Sequence, residues 1–233
     1  MSADNGRWAI YFAPEPGSTL ARFGAEWLGY DAASGTTLSQ PLLAEIDAER
    51  LQSITAEPRR YGFHATLKPP FALAEGFTAE KLDEAVAALA RQEAAFDAPH
   101  LRLSCISGFW ALTLPASCPP LQTLADRCVS ELDSFRALPS AAELARRRRA
   151  RLTARQDELL ARWGYRYVMD EFRFHMTLTA RLDAVEGAVV ARVLEPLVAP
   201  LCHSALAIDA LSLFHQERRD APFRLIARYP LSR

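Results

Sequence analysis

The stretch Arg60-Tyr61-Gly62-Phe63-His64-Ala65-Thr66-Leu67-Lys68-Pro69-Pro70-Phe71 decides the fold, because its centre returns later in the chain. Phe63-His64-Ala65-Thr66-Leu67 has a counterpart in Phe174-His175-Met176-Thr177-Leu178. The chain holds five histidines and eleven threonines in 233 residues. Chance alone then gives about a quarter of one His-x-Thr. Two are present, each with Phe before and Leu after.

In an extended strand, alternate side chains share a face. His64 and Thr66 therefore point one way, and Phe63, Ala65 and Leu67 point the other, into a core. His175 and Thr177 share a front in the same way, backed by Phe174, Met176 and Leu178. Gly62 leaves room beside His64.

Working outward, each motif strand heads the same order of elements. The first strand, Gly62 to Leu67, is expected to stop at Lys68-Pro69-Pro70. A helix capped by Thr78 runs to about Gln92, with Leu82, Val86 and Leu89 on one face. Strands follow at 101–107 and 109–114. In the second half a strand at 174–179 precedes a helix at about 185–198. Two strands then lie at 205–214 and 223–229. The order strand, helix, hairpin is thus duplicated.

These elements define one bilobed α+β domain over 1–233. Repeat 1 forms a lobe from about 57–115, and repeat 2 from about 165–231. The N-terminal strand (8–13), a helix capped by Ser18 and a second helix at about 41–54 pack on the lobes. Between the repeats lies a helical insert, about 121–164. It carries Arg146-Arg147-Arg148-Arg149-Ala150-Arg151. On a helix such a run circles the axis. It reads either as a solvated face with snorkelling arginines or as an arm over a shared cleft.

Half the residues are hydrophobic, 24% are charged, and the formal charge is −1. A globular fold is expected, and no basic excess argues for duplex DNA or an anionic membrane surface. No stretch approaches the ~18 apolar residues of a membrane span. The N-terminal residues do not read as a signal peptide. Cys105, Cys118, Cys128 and Cys202 form no CxxC pair and read as reduced cytoplasmic thiols. The abundance of Ala and Arg suits a bacterial source. No HExxH, acidic pair or glycine-rich phosphate loop is present, so no metal and no cofactor is expected.

The front faces suggest chemistry. Histidine exchanges a proton near neutral pH, and a threonine two residues on can donate a hydrogen bond to a phosphate oxygen. Two such strands facing each other would set two imidazoles about one phosphate. One would activate water and the other would protonate the leaving alkoxide. The threonines, with a cation, would hold the charge on the phosphoryl oxygens. Arg173, in phase with His175, is the candidate clamp. Lys68 either touches phosphate or points to solvent. Tyr61 and Tyr11 are candidates to line the cleft. His215 reads as a turn residue, and His100 and His203 as structural.

The paired motifs resemble the 2H (two-histidine) phosphoesterase superfamily. RYGFHATLKPPF together with FHMTLT is similar to its branch of phosphonate metabolism proteins from bacterial phosphonate-utilisation operons. The resemblance covers nearly the whole chain. It implies two antiparallel sheets facing a central cleft, with helices outside and the insert between the repeats. It implies that His64 and His175 carry protons and that Thr66 and Thr177 bind phosphate. It implies metal-independent opening of a small cyclic phosphodiester, of the 2′,3′-cyclic or ribose 1,2-cyclic phosphate type. The partner is then a small phosphorylated sugar or nucleotide. The other readings are a module that binds a phosphate ligand or RNA end without turnover, and an RNA-processing enzyme of the 2′-5′ RNA ligase type. The 111 residues from His64 to His175 exceed the spacing of compact members, because of the insert.

Overall fold

The computed structural model describes residues 6–149 and 151–232. Ala150 of the arginine-rich run and the first five residues lie outside that range. The strands are β1 (Arg7–Phe12), β2 (Tyr30–Asp31), β3 (Thr36–Thr37), β4 (Ala65–Phe71), β5 (Phe96–Ala98), β6 (Arg102–Ile106), β7 (Phe109–Thr113), β8 (His175–Thr177), β9 (Leu206–Ile208), β10 (Ala210–Gln216) and β11 (Arg224–Pro230). The helices are α1 (Thr19–Leu28), α2 (Ala48–Arg59), α3 (Ala79–Gln92), α4 (Pro119–Glu131), α5 (Ala141–Arg148), α6 (Ala154–Trp163) and α7 (Ala184–Val198). The class is α+β, built on antiparallel pairing.

Seven strands form a ladder in the order β11-β10-β1-β4-β8-β7-β6. It has a four-strand and a three-strand section, joined between β4 and β8 by one register pair, Ala65 opposite Met176. The two expected sheets are these sections, meeting edge to edge at the two motif strands.

The repeats do not each build their own section, as the sequence suggested. The hairpin of the first repeat, β6–β7, pairs with the motif strand of the second, β8. The hairpin of the second repeat, β10–β11, joins β4 through β1. The N-terminal strand is therefore an interior strand rather than an element packed on a lobe. This exchange puts both motif strands side by side at the middle of the ladder.

The alternation read from the motifs is met on the back face. Ala65, Leu67, Met176 and Leu178 are fully or almost fully buried in one core, with Phe63 and Phe174 beside them. Each large apolar side chain contributes roughly 1.5–3 kcal/mol by leaving water. His64, Thr66, His175 and Thr177 are only partly buried, on the front.

Two boundaries differ from expectation. β4 runs on through Pro69 and Pro70 to Phe71. Beyond Ala65 it has no β8 partner, and its pairing with β1 slips between Trp8 and Ile10. A free edge and a bulge are where a strand tolerates residues without an N–H. The second helix begins at Ala48, not near 41, because the Asp47 side chain accepts from the Arg50 amide as its N-cap. The helices starting after Ser18 and Thr78 begin where the caps predict. No helix among the described residues is long and apolar enough to cross a membrane.

Candidate active site

His64 and His175 line one cleft of about 690 Å³ together with Thr66 and Thr177. Both rings are held the same way. Nδ1 of His64 lies 2.9 Å from the carbonyl oxygen of Gly62, and Nδ1 of His175 lies 2.7 Å from that of Arg173. A carbonyl only accepts, so each Nδ1 carries the hydrogen and donates. The unprotonated nitrogen of either neutral ring is therefore Nε2. In each motif the histidine is oriented by the residue two before it, a device repeated with the fold.

The left-handed backbone of Gly62, with φ of 74°, turns its carbonyl to this task. A Cβ there would come within 2.7 Å of the Ala32 Cβ. The glycine is thus required by backbone and packing, beyond the open space that the sequence suggested.

Nε2 of His64 is 3.2 Å from the Thr66 hydroxyl, which donates to it in the neutral form. The His64 ring also stacks on Tyr11, with centroids 3.8 Å apart. Tyr11 is fully buried, and its hydroxyl has no hydrogen-bond partner among the described residues. Tyr61 lines the cleft 6.1 Å from His64 and stacks on Phe223.

Burial pulls His64 down to a pKa of about 4; the Gly62 carbonyl opposes this, and the charge of His175 adds to it. Burial also lowers His175, again opposed by its backbone carbonyl. Each imidazole is thus biased toward the neutral base. The coupling means that charge on one ring disfavours charge on the other.

Two candidates fall elsewhere. The Arg173 side chain does not line this cleft; it lies in a separate depression with Phe172 and Phe174. β8 starts only at His175, after a 3-10 turn over Met169–Glu171, so strand alternation does not extend back to Arg173. Its contribution is the carbonyl that orients His175. Lys68 is on the cleft face, yet it is buried and neither free for phosphate nor in solvent. Its ammonium donates to the Val129 carbonyl at 2.9 Å and sits 3.5 Å from Asp133, tying β4 to the insert.

Sequence reasoning missed the cationic wall. Arg7, Arg136, Arg147, Arg166 and Arg219 line the cleft, against the carboxylates of Glu57 and Glu143. They come from the N-terminal strand, the insert, the loop between α6 and β8 and the β10–β11 turn, and apart from Arg147 in the arginine run no local pattern marks them. Of the arginine run only Arg147 reaches the cleft, where it donates to the Gly164 carbonyl and to Glu143. Arg148 pairs with Asp157 at the exposed surface. The arm reading thus holds for one residue and the solvated reading for its neighbour. His215 lies on β10 rather than in a turn and packs against Trp8 of β1, away from the cleft.

The chain has relatives among known proteins. The chain is 40% identical over 230 residues to a protein of Janthinobacterium sp. (strain Marseille) named ribose 1,5-bisphosphate phosphokinase PhnN. That match covers 97% of this chain and 51% of the relative. A protein of the same name from Laribacter hongkongensis (strain HLHK9) is 36% identical over 221 residues, covering 94% and 50%. The chain therefore spans about half the length of these curated relatives. Among solved structures, E. coli LigT complexed with 3′-AMP aligns over 98% of this chain and 99% of its own, with a TM-score of 0.45 and 14% identity. The family described as "Protein of unknown function (DUF1045)" matches residues 66–224, from the first motif's threonine through the second motif to the start of β11, and the chain belongs to that family.

Proposed function

We propose that this protein is a 2H-type phosphoesterase that opens a small cyclic phosphodiester by general acid–base catalysis between His64 and His175, in the context of phosphonate metabolism. The observation that carries this is the repeated lock: two imidazoles in one cleft, each with Nδ1 bound to a carbonyl and Nε2 left as the working nitrogen.

His64 is the base. Its depressed pKa keeps it neutral at physiological pH, and Nε2 takes a proton from the attacking water as the new P–O bond forms. His175 is the acid. A bound phosphate anion raises its proton affinity, and it gives that proton to the alkoxide as the ring P–O bond breaks. With substrate bound, the Thr66 hydroxyl turns its hydrogen from His64 Nε2 to a phosphoryl oxygen, freeing Nε2 for the water, and Thr177 donates likewise while charge builds on those oxygens. Each proton transfer is worth about 10²–10⁴-fold.

The name of the longer relatives favours a ribose phosphate as the substrate class. Their kinase activity does not transfer with it: this chain contains no G-x-x-x-x-G-K-[ST] run. Among the described residues no three His, Cys, Asp or Glu side chains converge as metal ligands would. The substrate is a small phosphorylated sugar or nucleotide, and the site is cytoplasmic in this reading.

The test is phosphorus NMR in excess EDTA, with 2′,3′-cyclic nucleotides, ribose 1,2-cyclic phosphate and a short RNA ending in a cyclic phosphate. The reading predicts that one ring opens with the native chain and with neither His64→Ala nor His175→Ala. Binding without turnover across the panel would instead favour a phosphate-binding module.

A further inference from the structure

On the front face of β1, Arg7 and Tyr11 flank Ala9, and the cleft beside them is lined by more arginines than carboxylates. Arg7 directs Nε and Nη2 to the Gln216 amide oxygen, at 2.8 and 2.6 Å. The same amide donates to the Arg219 carbonyl at 3.3 Å and the Ala221 carbonyl at 2.7 Å. Gln216 is almost fully buried, so it fixes the arginine strand and the 219–221 turn to each other.

Both arginines line the cleft, and among the described residues neither has a carboxylate within 4 Å. The neighbouring acids Glu217 and Asp220 pair with Arg218 instead. Burial lowers the proton affinity of Arg7; the Tyr61 and Tyr11 hydroxyls oppose this, and the like charge of Arg219 adds to it. Gln216 holds the Arg7 guanidinium by its amide oxygen and the backbone of Arg219 by its amide nitrogen, so two cationic side chains without an ion-pair partner among the described residues share one wall of the cleft.

The second observation is the Tyr11 hydroxyl. It is completely buried, belongs to a residue that lines the same cleft, and has no partner among the described residues. A buried hydroxyl without an acceptor costs free energy, which a ligand oxygen placed there would recover. The focus also lies close to the histidine pair. The Arg7 guanidinium sits 5.4 Å over the Phe223 ring, which stacks on Tyr61, and Tyr61 is 6.1 Å from His64.

We propose that Arg7, Arg219, Tyr61 and the Tyr11 hydroxyl form a second anion subsite beside the histidine pair, and that the substrate carries there a phosphate group other than the one that reacts. The substrate class is thereby narrowed to a small cyclic phosphodiester bearing a separate phosphomonoester. This rests on the reading of His64 and His175 as the reacting centre.

Two measurements separate the claims. The first compares kcat/KM for adenosine 2′,3′-cyclic phosphate and for the same compound with a 5′-phosphate. The native chain is expected to prefer the 5′-phosphorylated compound by about tenfold or more, as a charge-assisted contact allows. Arg219→Gln, a change at an exposed position, is expected to collapse that preference toward one through KM. Equal kcat/KM for the two compounds, or a preference that survives in Arg219→Gln, overturns the subsite.

The second follows arginine side-chain ¹⁵Nε signals as inorganic phosphate is added to the His64→Gln/His175→Gln chain. The Arg7 and Arg219 signals are expected to shift together, with the histidine pair gone. Unmoved signals overturn the subsite. If neither adenosine compound turns over, the two-histidine reading still stands or falls on the ribose 1,2-cyclic phosphate and RNA tests above, and this second measurement alone decides the subsite.

Discussion

Nδ1 of His64 donates to the carbonyl of Gly62, a residue whose φ of 74° no other side chain adopts readily. The histidine's orientation thus depends on a glycine two positions away. Gly62→Ala strains the left-handed backbone by about 1–2 kcal/mol and drives a Cβ to 2.7 Å from that of Ala32. Thermal unfolding should show a Tm lower by about 2–8 °C for a chain of this size. The ¹⁵N signal of His64 Nδ1 should move as its carbonyl is displaced. An unchanged ring signal would separate the glycine from the histidine.

His64 also links stability to pH. Its folded pKa is about 4, and the unfolded value is about 6.5. Between these, the unfolded chain binds more protons, so stability falls as pH drops from about 6.5 toward 4. His64→Gln removes this contribution. Urea unfolding at pH 7.5 and pH 5 should show a smaller loss of stability on acidification in His64→Gln than in the native chain. An identical loss in both would place the acid sensitivity elsewhere.

The histidine fronts were legible because period-two alternation is enforced by burial: Ala65, Leu67, Met176 and Leu178 had to face a core. Caps at Ser18 and Thr78 were legible because their chemistry is local. The end of β4 was misread because Pro69 and Pro70 stop a strand only where its N–H groups are needed, and here that edge is free. Arg173 was misplaced because alternation holds only inside a strand, and β8 is three residues long. The exchange of hairpins between repeats and the meeting of Arg7 with Arg219 are long-range facts. Local sequence carries no signal for either.

Lys68 is a tether. Lys68→Met leaves the Val129 carbonyl and one side of Asp133 without their cation. A lost buried contact of this kind costs about 1–3 kcal/mol. Chemical denaturation should report the loss as a lower midpoint with an unchanged slope. A stable variant with a strongly raised KM would instead return Lys68 to the substrate.

Tyr11→Phe removes a buried hydroxyl that has no partner among the described residues. It should leave Tm unchanged or slightly higher, since no internal hydrogen bond is lost. A marked fall in Tm would mean that the hydroxyl is satisfied internally.

The most direct test of the two-histidine account is kcat/KM against pH for the native chain, His64→Gln and His175→Gln. The account predicts a bell for the native chain. Its acid limb is set by His64 near pH 4, and its alkaline limb by His175 below its ordinary 6.5. The residual activity of His64→Gln should lose the acid limb, and that of His175→Gln the alkaline limb. A monotonic profile, unaltered when either histidine is replaced, would contradict the assignment of the two rings as base and acid.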